Sequence, residues 1–244
     1  MRYLVISDIH ANLAAFDAVL DAAGSFDMIW CLGDLVGYGP DPNECVARIQ
    51  EFEHICIAGN HDWAALGKLD LNQFNHDARV ANAWTQRQLT PIARAYLEAR
   101  PTRLEEDGFL LVHGSPREPI WEYILDIEQA AVNFSHFEAP VCLVGHTHVP
   151  IGFVLDREHE DYYRLVPPYP EPIRLANPTM RMILNPGSVG QPRDGDPRAS
   201  YAILDTEART WEVHRVDYPV EVTQERMRAY DLPLRLIQRL AVGR

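Results

Sequence analysis

Residues 3–10, Tyr3-Leu4-Val5-Ile6-Ser7-Asp8-Ile9-His10, set the reading of the chain: a short apolar run ends on an aspartate and a histidine two positions apart. The apolar run reads as a β-strand, with the polar pair at its end. The same plan recurs four times. Gly33-Asp34 follows Met28 to Leu32, Gly59-Asn60-His61-Asp62 follows Ile55 to Ala58, His113-Gly114 follows Phe109 to Val112, and Gly145-His146-Thr147-His148 follows Val141 to Val144. If these strands lie in one sheet with a common direction, every polar cluster meets at its carboxyl edge, where open α/β sheets bind ligands.

The segments between the clusters read as returning helices. Asn12 is placed to cap a helix with Leu13, Phe16, Val19, Leu20 and Ala23 at helical spacing, and Asp41-Pro42-Asn43-Glu44 carries a capping aspartate, a first-turn proline and a glutamate ahead of Val46 and Ile49. Tandem βα units imply parallel strands. A helical insertion over about 63–100, in two pieces separated at Thr90-Pro91, is placed to roof the site, and Asp126 starts a further short helix. Residues 156–178 are rich in proline and charge and read as an irregular or hairpin excursion. Arg181 to Leu184, Ser200 to Leu204 and Trp211 to Val216 read as strands of a largely antiparallel second sheet, and a helical tail spans about 222–242.

At 244 residues and 47% hydrophobic composition, the chain is expected to fold as one domain over 1–244. Cys31, Cys45, Cys56 and Cys142 show no CxxC spacing, and the first residues lack the apolar length of a signal peptide. No segment approaches membrane-spanning length, so a cytoplasmic protein with no membrane partner is expected. A net charge of −13 disfavours long nucleic acid as a partner, because phosphate binding needs clustered Lys and Arg. Oligomeric state is left open.

Histidine and carboxylate bind divalent first-row metals at about 2.0–2.2 Å. Asp8 and His10, two apart, would point to one side of an extended strand and grip one ion, and His146 and His148 repeat that spacing. Asp34 suits a bridging carboxylate between ions about 3.5–4 Å apart, with Asn60 and His113 completing the ligands of the second ion. Each cluster alone has a plainer reading: Asp-x-His as a turn cap with a surface histidine, Gly-Asp as a turn, a lone histidine as a hydrogen-bonded loop residue. All five in series, each at a strand end, point to a two-metal hydrolase.

Asp8-x-His10, Gly33-Asp34, Gly59-Asn60-His61-Asp62, His113 and Gly145-His146-x-His148 resemble, in order, the five motifs of the calcineurin-like metallophosphoesterases, over about residues 1–205. Within that superfamily, residues 33–42 and Asn185-Pro186-Gly187-Ser188-Val189-Gly190 are similar to the small bacterial and archaeal phosphodiesterase branch. The resemblance implies an α/β fold, a four-layered α/β/β/α sandwich of two mixed sheets. It also implies one metal on Asp8, His10, Asp34 and His148, a second on Asp34, Asn60, His113 and His146, and His61 beside the substrate. Gly37-Tyr38-Gly39 stands where protein serine/threonine phosphatases and bis-nucleoside tetraphosphatases carry Asp-Arg-Gly, and Asp62 stands where they carry glutamate, which separates this chain from those substrates.

The activity so implied is hydrolysis of phosphodiesters, with phosphomonoesters open, on a small phosphoester substrate. Two cations (Mn, Fe, Zn, Ni or Co) sharing Asp34 would share a water acidified toward neutrality, giving hydroxide aimed at phosphorus. Asp34 and His61 are then the catalytic residues, His61 stabilising the transition state or protonating the leaving alkoxide while Asp62 or Asp34 orients it. The alternatives are a phosphoprotein or nucleotide phosphatase of the same superfamily and a catalytically weak, protein-binding scaffold on the same fold. Arg193 and Arg198 are candidates for phosphate contact or for local ion pairs, Asn75 and His76 for overhanging the site, with helix capping the plainer reading of Asn75, and Tyr38 for lining the pocket or for packing. His54, His136, His159 and His214 show no partner pattern, and there is no Gly-x-Ser-x-Gly elbow or Walker-type loop.

Overall fold

The structure, a computed structural model, describes residues 1–167, 171–175 and 177–244. The chain runs β1 (Arg2–Ile6), α1 (Leu13–Ala22), β2 (Met28–Cys31), α2 (Pro42–Ile49) and β3 (His54–Cys56), then α3 (Asn60–Leu66), α4 (His76–Gln88) and α5 (Pro91–Glu98). Next come β4 (Arg103–Glu106), β5 (Phe109–Val112), α6 (Ile127–Asn133), β6 (Val141–Leu143), β7 (Pro150–Asp156), β8 (Asp161–Leu165) and β9 (Ile173–Arg174). It ends with β10 (Met180–Pro186), β11 (Ala199–Asp205), β12 (Thr210–Val216), α7 (Val220–Ala229) and α8 (Leu234–Arg239).

The strands form two six-stranded mixed sheets, in the orders β3-β2-β1-β11-β12-β9 and β4-β5-β6-β10-β7-β8. Alternation along the central strands builds the layers. Tyr3, Val5, Trp30 and Leu32 face Leu111, Val141, Leu143 and Leu184 in a core between the sheets. Leu4, Ile6, Ile29 and Cys31 point the other way, onto Phe16 and Val19 of α1 and Val46 and Ile49 of α2. Leu110, Val112, Cys142 and Ile183 meet Ala130 of α6 and the neighbouring Phe134 and Phe137 on the far face. A strand buried on both faces reads as a continuous apolar run, which is why these runs carry no polar alternation.

Three sequence expectations change. The cluster-bearing strands do not share one sheet: β1, β2 and β3 are parallel neighbours in the first, β5 and β6 in the second. The late strands do not form a sheet of their own either. β10 pairs parallel with β6, while β11 pairs antiparallel with β1 and β12 antiparallel with β11 in the first sheet, which buries Ala202, Leu204 and Trp211 in the core between the sheets. The tail is two helices, broken at Pro233.

Asn12, Asn75, Thr90 and Asp126 cap their helices as expected, each accepting a hydrogen bond from the main-chain nitrogen three residues on. Asp41 occupies the cap position of α2, but its carboxylate makes no capping bond and pairs with Arg226 of α7. The excursion contains β8, which closes a hairpin onto the preceding β7, and β9, which pairs with β12; its Pro168, Tyr169, Pro170 and Ala176 lie outside the described residues. Among the described residues no helix is long and apolar enough to cross a membrane.

Candidate metal centre

β1 stops at Ile6, so Asp8 and His10 are not side by side on an extended strand. Both have left-handed backbones, with φ of 54° and 50°, and so do Asp34 at 51°, His146 at 64° and His148 at 60°. This conformation costs a non-glycine residue of order 1 kcal/mol, and its concentration here marks strain held for a purpose. Main-chain hydrogen bonds hold the loops in place: Asp8 N donates to Gly33 O at 3.1 Å, His10 N to Asp34 O at 2.9 Å, and Gly145 N to His113 O at 2.8 Å. Gly33 has φ +92°, and a Cβ there would lie 2.9 Å from His113 Nδ1, so only glycine lets the first sheet's loop approach that ring.

These turns bring the predicted side chains together. Asp8, His10 and His148 form one group able to hold a metal ion, and Asp34, His113 and His146 a second. In the first, His148 Nε2 lies 3.2 Å from Asp8 Oδ1 and 3.1 Å from His10 Nε2. In the second, His113 Nε2 lies 3.3 Å from Asp34 Oδ2 and 3.1 Å from Asn60 Oδ1. Asp34 Oδ2 is also 3.7 Å from His10 Nε2, which places one carboxylate oxygen between the groups. All seven side chains, and His61, are 4% exposed or less.

The hydrogen-bond arithmetic calls for cations. His10, His113 and His148 direct Nδ1 at the carbonyls of Val36, Leu32 and Gln191, at 3.3, 2.8 and 2.6 Å. A carbonyl only accepts, so Nδ1 carries a proton and Nε2 faces the centre, with its lone pair free in neutral His10 and His148 and in His113 once that ring gives up its second proton. His146 is reversed: Nε2 faces Trp121 O at 3.2 Å and Nδ1 is left free. Asp8 Oδ2 accepts from His146 N and Asp34 Oδ1 from His61 N, but Asp8 Oδ1 and Asp34 Oδ2 are buried with no partner. Two unpartnered carboxylate oxygens facing imidazole lone pairs fit divalent cations, and this chemistry matches the donor set.

Burial holds His10, His146 and His148 well below the usual histidine range, keeping them neutral. Burial pulls His113 the same way, but the Asp34 carboxylate outweighs it and pushes His113 up to about 9. Burial raises Asp8 to about 6; Asp34, despite its own burial, is held well below the usual carboxylate range by His113, His61 and His10. Without a cation, then, a proton on His113 balances Asp34.

His61 belongs to neither group. Its ring lies edge-on to His10, 4.9 Å between centroids, and its Nδ1 is 3.0 Å from Asn82 Oδ1 on α4. Asp62 does not orient it, since its carboxylate accepts from Gly59 N and Val36 N at the start of α3. Asp34 holds only the His61 main chain. Gly37, with φ +89°, lets the ring in: a Cβ would sit 2.7 Å from His61 Nδ1. Asn82 had no signal in the sequence, because a polar residue one turn from Ala78 and one turn before Gln86 reads as the solvent face of a helix.

Other candidates sort cleanly. Arg198 is in a local ion pair with Asp196, whereas Arg193 donates to Gln191 and Tyr38. Tyr38 packs on the rings of His10 and His61. Tyr123, which the sequence did not single out, stacks on His146 at 3.9 Å. Phe74 of the insertion packs against His61 and Trp121, so the insertion does roof the centre. His54 bonds Tyr96, and His159 and His214 lie beside Asp156 and Glu212, away from the centre.

Fold and site together define a metal-dependent phosphoric ester hydrolase. The chain belongs to the calcineurin-like phosphoesterase superfamily, whose domain model matches residues 1–209. It is similar to the crystal structure of a metallophosphoesterase from Sphaerobacter thermophilus, with 48% identity, TM-score 0.91, and 100% of this chain and 99% of the other covered. An uncharacterized protein of Methanocaldococcus jannaschii, MJ0912, is 36% identical over 98% of this chain and 97% of its own length. The hypothetical protein PH1004 of Pyrococcus horikoshii shares the fold at 20% identity and TM-score 0.80, covering 100% and 98% of the two chains.

Proposed function

We propose that the protein hydrolyses phosphodiesters, and phosphomonoesters by the same attack, at a pair of divalent cations: one held by Asp8, His10, Asp34 and His148, the other by Asp34, Asn60, His113 and His146. The observation that carries this reading is Asp34 Oδ2, buried, unpartnered, and within 3.7 Å of His10 Nε2 and 3.3 Å of His113 Nε2. When bound, such a pair supplies Lewis acidity, acidifying water toward neutrality and neutralising phosphoryl oxygens. The diester preference rests on the likeness of residues 33–42 and 185–190 to the phosphodiesterase branch. Four buried, unpaired cysteines suit the reducing cytoplasm we assign it to.

His61 is the residue that moves a proton. Burial lowers it to about 4, so in the resting protein it is neutral, with Nδ1 donating to Asn82 and Nε2 free. An anionic phosphoryl group beside the ring favours its protonated form. Nε2 then takes up a proton from solvent and delivers it to the departing alkoxide, which returns the ring to its neutral state. Asn82→Ala removes the bond that fixes tautomer and ring orientation, and turnover is expected to drop by about tenfold with KM little changed. Asn82→Asp, which keeps an acceptor, should recover most of that loss; equal rates in all three proteins would remove Asn82 from this role.

Cation binding must expel the His113 proton, since a lone pair on Nε2 is needed. The folded metal-free value near 9 lies above the ordinary histidine value of 6.5, so the proton is present at pH 7 and is lost as pH rises through about 9. Titration calorimetry with Mn at pH 7, in two buffers of different ionisation enthalpy, should show release of about one proton per protein. Affinity should tighten by up to about tenfold per pH unit below pH 9. Buffer-independent heats would contradict it. The activity itself is tested by metal-dependent release of nitrophenol from bis(p-nitrophenyl) phosphate by purified protein, which a scaffold would not give.

A further inference from the structure

Beside the centre lies a strongly polar cavity of about 460 Å³ lined by Tyr38, His76, Asp77, Tyr123, Arg193, Arg235 and Arg239. Its volume falls within the range of small-molecule sites, roughly 300–1,000 Å³. Two of its walls belong to the centre as well. Tyr38 packs at 4.6 Å on the ring of His10, and Tyr123 stacks at 3.9 Å on His146, so the cavity walls touch both groups of metal-binding side chains.

Three guanidinium groups converge here, and the chain goes to some cost to collect them. Arg193 is tied to the centre's own loop, its main-chain N donating to His148 O at 3.3 Å. Its Nε is buried with no partner. Arg235 and Arg239 sit four residues apart on α8, where like charges repel. Burial, with Arg193 and Arg235 close by, pulls Arg239 down to about 10. Some arginines elsewhere are neutralised, Arg198 by Asp196, Arg215 by Asp194 and Arg226 by Asp41. Among the described residues none of the three cavity arginines forms an ion pair with a side-chain carboxylate; Arg239 spends its Nε on the main-chain oxygen of Arg244. In a chain of net charge −13, a pocket lined by three guanidinium groups against one carboxylate, Asp77, favours an anion.

We propose that this cavity receives a second phosphate of the substrate, so that the enzyme selects phosphoesters carrying an additional phosphate over those with one. The proposal rests on the phosphoesterase reading above, and it assigns the C-terminal helix α8 a role in substrate choice that its packing alone does not require. Guanidinium forks match phosphate oxygens in pairs, and three of them balance a dianion better than a single carboxylate.

The test compares thymidine 5′-(p-nitrophenyl phosphate) with the same ester bearing a 3′-phosphate, on the full-length, metal-loaded protein. The proposal expects kcat/KM to be about tenfold or more higher for the doubly phosphorylated ester, mainly through KM. In Arg235→Gln/Arg239→Gln that ratio should collapse toward one. Arg235→Gln alone, at an exposed position, should lower the ratio without any loss of thermal stability. A wild-type ratio within about twofold, or a ratio the variants leave intact, overturns the proposal while leaving the phosphoesterase reading in place. If neither ester is hydrolysed, that reading fails, and calorimetry decides the cavity on its own. Thymidine 3′,5′-bisphosphate binding about tenfold tighter than thymidine 5′-phosphate, with the difference lost in the double variant, supports the anion site; equal affinities reject it.

Discussion

Asp34→Asn is expected to lower kcat on bis(p-nitrophenyl) phosphate by about 10³-fold, the loss of roughly 4 kcal/mol of charge stabilisation. The substitution keeps shape and one acceptor: an asparagine Oδ1 still receives the hydrogen bond that His61 N gives at 2.8 Å, so the start of α3 is held. What changes is the other atom. Oδ2, the unpartnered oxygen between His10 and His113, becomes a neutral amide nitrogen, and no anion remains for two cations to share. The protein as purified should also carry less metal, measured by elemental analysis on the same sample. A variant within about tenfold of wild type, with full metal content, would show that Asp34 does not bridge.

His61→Ala is expected to cost about 10²–10⁴-fold in kcat, the usual range for a positioned acid or base, with metal content near that of wild type. The separation of the two readouts is what gives the test its force. His61 lends only its main-chain nitrogen to Asp34, a bond that alanine preserves, and its ring meets Asn82, Tyr38 and Phe74 rather than either cation group. Loss of metal along with activity would make His61 a structural member of the centre; unchanged turnover would remove it from the chemistry.

The sequence made legible what depends on local pattern. Tyr3 to Ile6 and Phe109 to Val112 are apolar on both faces, and so announced strands covered on both sides; Asn12, Thr90 and Asp126 announced helix starts through the bonds their short side chains make. The polar clusters at the strand ends were likewise visible. Their geometry was not. Asp8 and His10 converge through left-handed turns pinned to the loop after β2, a long-range pairing that spacing along one strand cannot report. The division of the strands between two sheets was hidden for the same reason, since β10 and β11 look alike in sequence and differ only in which neighbour they find. Asn82, Tyr123 and the arginines of α8 were out of reach because each matters only through what faces it across the fold. The position of Arg239 relative to Arg193, for example, depends on where a tail some forty residues on comes to rest.

The central claim, that two cations share Asp34, is met most directly by anomalous scattering from a crystal of the Mn-loaded protein. The account predicts two anomalous peaks about 3.5–4 Å apart on either side of Asp34, one bounded by Asp8, His10 and His148 and the other by Asn60, His113 and His146. A single peak at full Mn loading, or a pair with Asp34 bound to only one of them, would contradict it.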